Sequence, residues 1–211
     1  MKTNRASHPL NQTTSNNKFA SNVIAVAGCP GSGKTSLVNA MSPTLNATCL
    51  FYDDYQDVTS LPIEEIIHLM QQGDDYNNLH VPGFADAIAA HKQQAPQQNL
   101  LIETPLGRHH RDSGQYIDIL IWIDLPLDIA LARNIQAFTQ EFLQSPIHES
   151  LLTEQVQWLA QYLDTYLHKI RQTLLIQQER LSSTADIILD GSLPPDDLLK
   201  QALGLLEESQ P

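Results

Sequence analysis

Cysteine is scarce in this 211-residue sequence: Cys29 and Cys49 are the only two. They cannot form a disulfide framework and they lack metal-ligand spacing, so the fold must rest on its own apolar core, and a reducing compartment suits it. Positive charge is also thin. Lys and Arg number 12 against 24 Asp and Glu, a formal net charge of −12. Duplex DNA or RNA must be met by clustered cations, so this balance argues against a nucleic-acid partner. A small phosphorylated ligand stays admissible, because one local cradle overrides a negative global field. Long apolar runs are missing as well. Nothing approaches the ~20 residues of a membrane span. The first 20 residues have no continuous apolar core and do not read as a secretory leader. The expectation is a cytoplasmic protein with no membrane partner.

Apolar residues make up 42% and charged residues 17%, the proportions of a globular protein. Residues 1–20, rich in Asn, Ser and Thr, read as a flexible polar tail, and 21–211 as one domain. Short apolar runs at 22–27, 48–52, 99–103, 116–123 and 185–189 read as strands. Between them, helical spacing covers 34–41, 61–72, 84–94, 127–143, about 151–181 and a last stretch from about Pro195. On the long helix, Leu152, Val156, Leu159, Leu163, Leu167, Ile170 and Leu174 form a stripe. That stripe suits either its own sheet or a homodimer interface. Strands alternating with helices predict an α/β fold in three layers, a five-stranded parallel sheet with helices on both faces. In such sheets ligands gather beyond the carboxyl ends of the strands.

Gly28-Cys29-Pro30-Gly31-Ser32-Gly33-Lys34-Thr35 fits G-x-x-x-x-G-K-[ST], between a buried strand and a helix as the motif requires. Here Gly28, Gly31, Ser32, Gly33, Lys34, Thr35 and Ser36 are the candidate nucleotide cradle. Glycines let the backbone approach phosphate, and backbone N–H groups with a helix N-terminus attract the anion. Lys34 is expected to reach the β- and γ-phosphates, and the Thr35 hydroxyl to ligate Mg²⁺. ATP and Mg²⁺ are therefore the expected cofactors. Cys29 reads as a small loop residue or as a reactive thiol.

Asp53 and Asp54 follow the second strand and lie on the ligand edge. They read as an acceptor-orienting carboxylate pair or as turn formers. Glu103 ends the third strand, where it can hold Mg²⁺ or sit at a solvated terminus. Asp124 ends the fourth and reads as the metal-binding aspartate of an ATPase or, at least as well, as a turn residue before Pro126.

These pieces, in order with 123–133 (Ile-Asp-Leu-Pro-Leu-Asp-Ile-Ala-Leu-Ala-Arg) and 185–191, resemble the P-loop metabolite kinases, closest to the uridine kinase and nicotinamide riboside kinase group. The resemblance implies Asp53 as the base, Glu103 as an organiser of Mg²⁺, and Arg133 as the arginine that opens the lid and touches the nucleotide phosphates. It implies a nucleoside or other ribosyl compound as acceptor, gripped loosely by Asp75, Tyr76 and His80. The chain departs from that pattern in three ways: Tyr52 stands for Gln, Thr104-Pro105 for Gly, and no Lys or Arg occurs from Asn134 through His168. Arg108 or Arg111 are the candidates to replace the missing lid arginines, against a reading as ordinary loop residues. His109 and His110 read as surface residues, and Tyr162 and Tyr166 as core packing.

The function expected is ATP-dependent phosphoryl transfer to a hydroxyl of a small metabolite. The alternative is a nucleotide-dependent NTPase or regulator without a small acceptor. A guanine-recognition N-K-x-D run is absent, which argues against a GTPase switch. No Lys or Arg occurs from Thr35 through His91, where a phosphorylated acceptor would need them, so an uncharged or weakly charged acceptor fits better.

Overall fold

The computed structural model describes residues 22–55, 81–144 and 149–209; the tail at 1–20, the helix expected at 61–72, and Asp75, Tyr76 and His80 lie outside them. Strands β1 (Val23–Gly28), β2 (Thr48–Phe51), β3 (Leu100–Glu103), β4 (Ile119–Asp124) and β5 (Ile187–Asp190) form one sheet in the order β2-β3-β1-β4-β5. Every pairing in it is parallel. Besides a single helical turn at Arg111–Gly114, the described α-helices are α1 (Lys34–Leu45), α2 (Phe84–Gln94), α3 (Leu127–Gln144), α4 (Glu149–Thr165), α5 (Arg171–Ser182) and α6 (Pro195–Glu208). None is long and apolar enough to cross a membrane.

The layers follow from the two-residue period of a strand. Val23, Ala25 and Ala27 of β1 face a core shared with Phe84 and Ile88 of α2 and Leu181 of α5. Ile24 and Val26 face the opposite core, with Leu37, Val38 and Met41 of α1 and Leu198, Ala202 and Leu206 of α6. All these side chains are buried, so β1 carries the continuous apolar run of a strand covered on both faces.

Two strands start later than their apolar runs suggest, for one reason. Asp118 exchanges both bonds with Val23: its N–H donates to Val23 O (3.0 Å) and its carboxylate accepts from Val23 N–H (2.8 Å). Asp186 treats Leu120 the same way, at 2.9 and 2.7 Å. An aspartate side chain thus takes the first rung of the ladder before β4 and β5. Helix α1 runs past its expected end at Met41 and through Pro43 to Leu45. Proline removes the donor that Asn39 O would receive, and the Ser42 hydroxyl supplies one at 3.1 Å.

The long helix expected over 151–181 is α4 and α5 joined by a π turn at Tyr166–Ile170. Its apolar stripe is the expected one only in part: Ile170 and Leu174 pack inward as expected. Val156 and Leu167 are 60% and 70% exposed. The inward series runs in steps of four: Tyr162, Tyr166, Ile170, Leu174. An α-helix turns such a series by about 40° per step, and the wider π turn winds it back onto one face.

The Asp186 carboxyl is drawn up by partial burial, but hydrogen bonds from Arg108 and Leu120 N–H outweigh this and hold it below the usual carboxylate range. A depressed folded value means stability present above the unfolded value of about 4 and lost as pH falls through the folded one. Asp186→Asn is expected to lower stability at pH 7 by on the order of 1 kcal/mol, as suits a half-exposed pair. In urea melts, the gap to the wild type should close below about pH 4; a pH-independent gap would contradict the assignment.

Candidate functional site

At the carboxyl edge, β1 ends in Gly28 and the chain turns through Cys29–Gly33 into α1. Gly31 and Gly33 sit at φ +81° and +94°, the left-handed region that favours glycine. A Cβ on Gly31 would also lie 2.6 Å from Ala130 O. The loop is closed by Ser32 N–H donating to Cys29 O at 3.1 Å. Lys34 Nζ folds back to the same carbonyl at 3.2 Å. Cys29 is buried, and burial, partly offset by Lys34, pushes its thiol up; the reading as a small loop residue stands over the reactive one.

Glu103 at the end of β3 joins the cradle to the sheet. Its Oε2 accepts from Thr35 Oγ1 at 2.7 Å, and its Oε1 lies 3.9 Å from Lys34 Nζ. Burial pushes the Lys34 ammonium down, opposed by the charges of Glu103, Cys29 and Asp53. Register explains the meeting: Glu103 pairs with Val26 of β1 on one side and Phe51 of β2 on the other. Thr35 and Glu103 are hard oxygen donors in contact, the donor set Mg²⁺ prefers. Among the described residues no three His, Cys, Asp or Glu cluster. That also suits Mg²⁺, which takes one or two protein oxygens and completes its shell with water and phosphate. Ser32 Oγ, buried in the cradle, makes no hydrogen bond within the described residues, leaving a donor for an anion.

Asp53 and Asp54 lie in a single 3₁₀ turn, Tyr52–Asp54, directly after β2, and both are exposed. Tyr52 anchors that turn from below. It is buried edge-on against Phe84, with ring centroids 5.8 Å apart at 83°. Burial, then the Asp53 charge, pushes its hydroxyl up to about 12. The residue in the place of the family's Gln is therefore a structural anchor.

Arg133, on α3, donates to Gly191 O at 3.0 Å. It stands over a pocket of about 330 Å³ whose walls include Gly33, Ser36, Leu37, Gly191, Leu193 and Pro195. The structure thus brings the cradle, Ser36, Glu103, Asp53 and Arg133 to one edge. Asp124 is committed to structure: it accepts from Gln178 at 2.7 Å, and its carbonyl holds Gly191 N–H at 2.7 Å.

Arg108 is a correction. Its guanidinium donates to Thr184 O (2.8 Å), Asp118 O (2.9 Å) and the Asp186 carboxylate. Those groups precede β4 and β5, so Arg108 pins the amino edge of the sheet, opposite the cradle, and cannot serve as an acceptor contact or a lid arginine. Arg111 is exposed and paired with Asp112. His110 is buried rather than on the surface, bonded to Ser113 Oγ at 2.7 Å. Gly191 and Asn134 were not among the sequence candidates. A lone glycine after a strand, and one asparagine on an amphipathic helix, carry no pattern that separates them from ordinary residues.

A family model described as 50S ribosome-binding GTPase matches residues 23–174. No curated protein matches the chain. Among solved structures, shikimate kinase from Acinetobacter baumannii in complex with shikimate is 13% identical, with a TM-score of 0.55, over 90% of this chain and 95% of its own. An unliganded sugar kinase from Janibacter sp. HTCC2649 is 20% identical, with a TM-score of 0.51, over 90% and 96%. At these identities the likeness is one of fold: the P-loop α/β sandwich.

Gly31→Ala is expected to cost about 1–3 kcal/mol of stability and at least ~10-fold in nucleotide affinity, since φ and Ala130 O both oppose a Cβ. Gly204→Ala, in α6 with open space around it, should instead stabilise by about 0.5–1 kcal/mol. Urea melts and calorimetric titration with Mg·ATP check both.

Proposed function

We propose, for a chain that belongs to the family described as 50S ribosome-binding GTPase, phosphoryl transfer from ATP to a hydroxyl of a small, weakly charged metabolite. One observation carries this reading. Lys34, Thr35 and Glu103 form a bonded cluster at the carboxyl edge, and Asp53, whose charge acts on Lys34, stands at the end of the strand next to β3. The resemblance to the uridine kinase group supports a nucleoside or other ribosyl compound as acceptor. The fold likeness to small-metabolite kinases agrees with the broader class.

The roles follow from the geometry. Backbone N–H groups of Gly31, Gly33, Lys34 and Thr35 at the start of α1 would hold the phosphates. Lys34, buried beside its partners, stabilises the charge that spreads over the γ-phosphoryl oxygens. Thr35 and Glu103 would hold Mg²⁺, which neutralises phosphate charge when bound. Asp53 orients the acceptor hydroxyl and takes its proton late in the transfer. We place the nucleotide base in the pocket that Arg133 flanks, where no described lining residue is a carboxylate. Guanine would find no acidic partner for its N1 and N2 donors there, which favours ATP.

Among the described residues, Lys34 in the cradle and Arg133 over its pocket are the cations set against the phosphate site. Lys34 is already matched by Glu103. That scarcity supports an acceptor without a phosphate of its own. The family match favours a second reading, hydrolysis with water as the sole acceptor.

ADP release from Mg·ATP, measured with and without nucleosides, other ribosides, pantothenate, glycerate and sugars, separates the two. The proposal expects stimulation by one acceptor class. Asp53→Asn should lower the stimulated rate by ~10² or more while sparing Mg·ATP binding, and Lys34→Ala should abolish binding. Slow release that no compound changes would favour the hydrolytic reading.

A further inference from the structure

A second cavity of about 390 Å³ lies between α3 and α4, with Pro30 of the cradle loop in its wall. Its volume falls among those of small-molecule sites. Three aromatic side chains line it, Phe138, Trp158 and Tyr162, with Leu159 beside them, and no described lining residue carries a charge. The rings are stacked in advance: Phe138 and Trp158 have centroids 4.5 Å apart at 24°, and Trp158 and Tyr162 are 5.4 Å apart at 6°. Trp158 nonetheless keeps 48% of its surface exposed. Polar groups gather at the cradle end. Tyr162 and Asn134 both line the cavity there; Asn134 partly offsets the burial that pushes the Tyr162 hydroxyl up, and its Oδ1 would meet a Cβ on Gly31 at 3.1 Å.

We propose that this groove is a binding site for a flat, uncharged, ring-bearing ligand with a single hydroxyl or carbonyl turned toward Asn134 and Tyr162, separate from the nucleotide pocket. Rigid stacked walls give a planar ring contact without ordering cost, since aromatic side chains have few torsions to fix. A charged ligand would lose its hydration here and find no opposite charge. The Asn134 amide has two donors and an acceptor oxygen, more than one tyrosine hydroxyl uses, so it has capacity for one polar substituent. The inference does not depend on which acceptor the cradle serves, because none of these side chains touches Lys34, Asp53 or Glu103 among the described contacts.

The sequence contains two tryptophans, so indole N–H signals of the ¹⁵N-labelled full chain report the site directly. Trp122 is buried and its Nε1–H faces the Asp124 carboxylate at 3.5 Å; Trp158 lines the groove. The probe is 2-naphthol, neutral at pH 7. The expected result is a saturable one-to-one shift of the Trp158 signal with the Trp122 signal unmoved, Trp158→Phe assigning the two. Leu159→Arg should weaken binding at least tenfold while leaving Mg·ATP affinity unchanged. On the wild type alone, naphthalene-2-sulfonate should bind at least tenfold more weakly than 2-naphthol. Equal binding of the neutral and charged probes, a shift that does not saturate, or movement of both indole signals would overturn the proposal. So would a dimer in sedimentation that Leu159→Arg dissociates while 2-naphthol shifts neither signal, which would make the groove a contact between copies of the chain.

Discussion

The Glu103 carboxylate is the interaction on which the site depends. One oxygen receives the Thr35 hydroxyl and the other faces the Lys34 ammonium. Glu103 is fixed by the register of β3 between β1 and β2. A rigid strand end therefore sets the position of the first turn of α1, and with it the backbone N–H groups that open toward the ligand edge. Breaking the cluster on one side would leave a nearly buried charge without its partner, which is more costly than never having formed it.

The opposite edge is built from different chemistry for a different purpose. Asp118 and Asp186 replace backbone rungs, and Arg108 ties both segments together through carbonyls and a carboxylate. Asn99 does similar work between the end of α1 and the start of β1, donating to Leu45 O and accepting from Asn22 N–H. Polar side chains thus close the amino edge, leaving the carboxyl edge as the place where polar groups keep capacity for a ligand. That division explains why an arginine only five residues beyond Glu103 has no part in the chemistry.

The cradle was legible in the sequence because its function fixes residue type at every step: glycines where φ is positive, then Lys34 and Thr35 at the helix start. Asp53 and Glu103 were legible by position, since strand ends face the ligand in a parallel sheet. Arg108 was not, because its partners Thr184 and Asp186 are more than seventy residues away in the chain and only the folded sheet brings them near. The stripe on the long helix held at Ile170 and Leu174 but misled at Val156 and Leu167, for a subtler reason. A leucine pattern at ordinary α-helical spacing was visible, whereas the face that turns inward repeats every four residues and relies on the π turn at Tyr166–Ile170 to stay aligned. The aromatic groove escaped because only the fold brings Phe138 and Asn134 of α3 against Tyr162 of α4; the core-packing reading holds for Tyr166, which is buried.

A kinase and a hydrolase built on this site would differ in the fate of one phosphoryl group. The most direct measurement follows the label from [γ-³²P]ATP when the chain is incubated with a mixed extract of small metabolites. Label should appear in an acid-stable organic ester, and Asp53→Asn should remove that species while the nucleotide still binds. Label recovered only as inorganic phosphate, at a rate the extract does not change, would contradict the kinase reading.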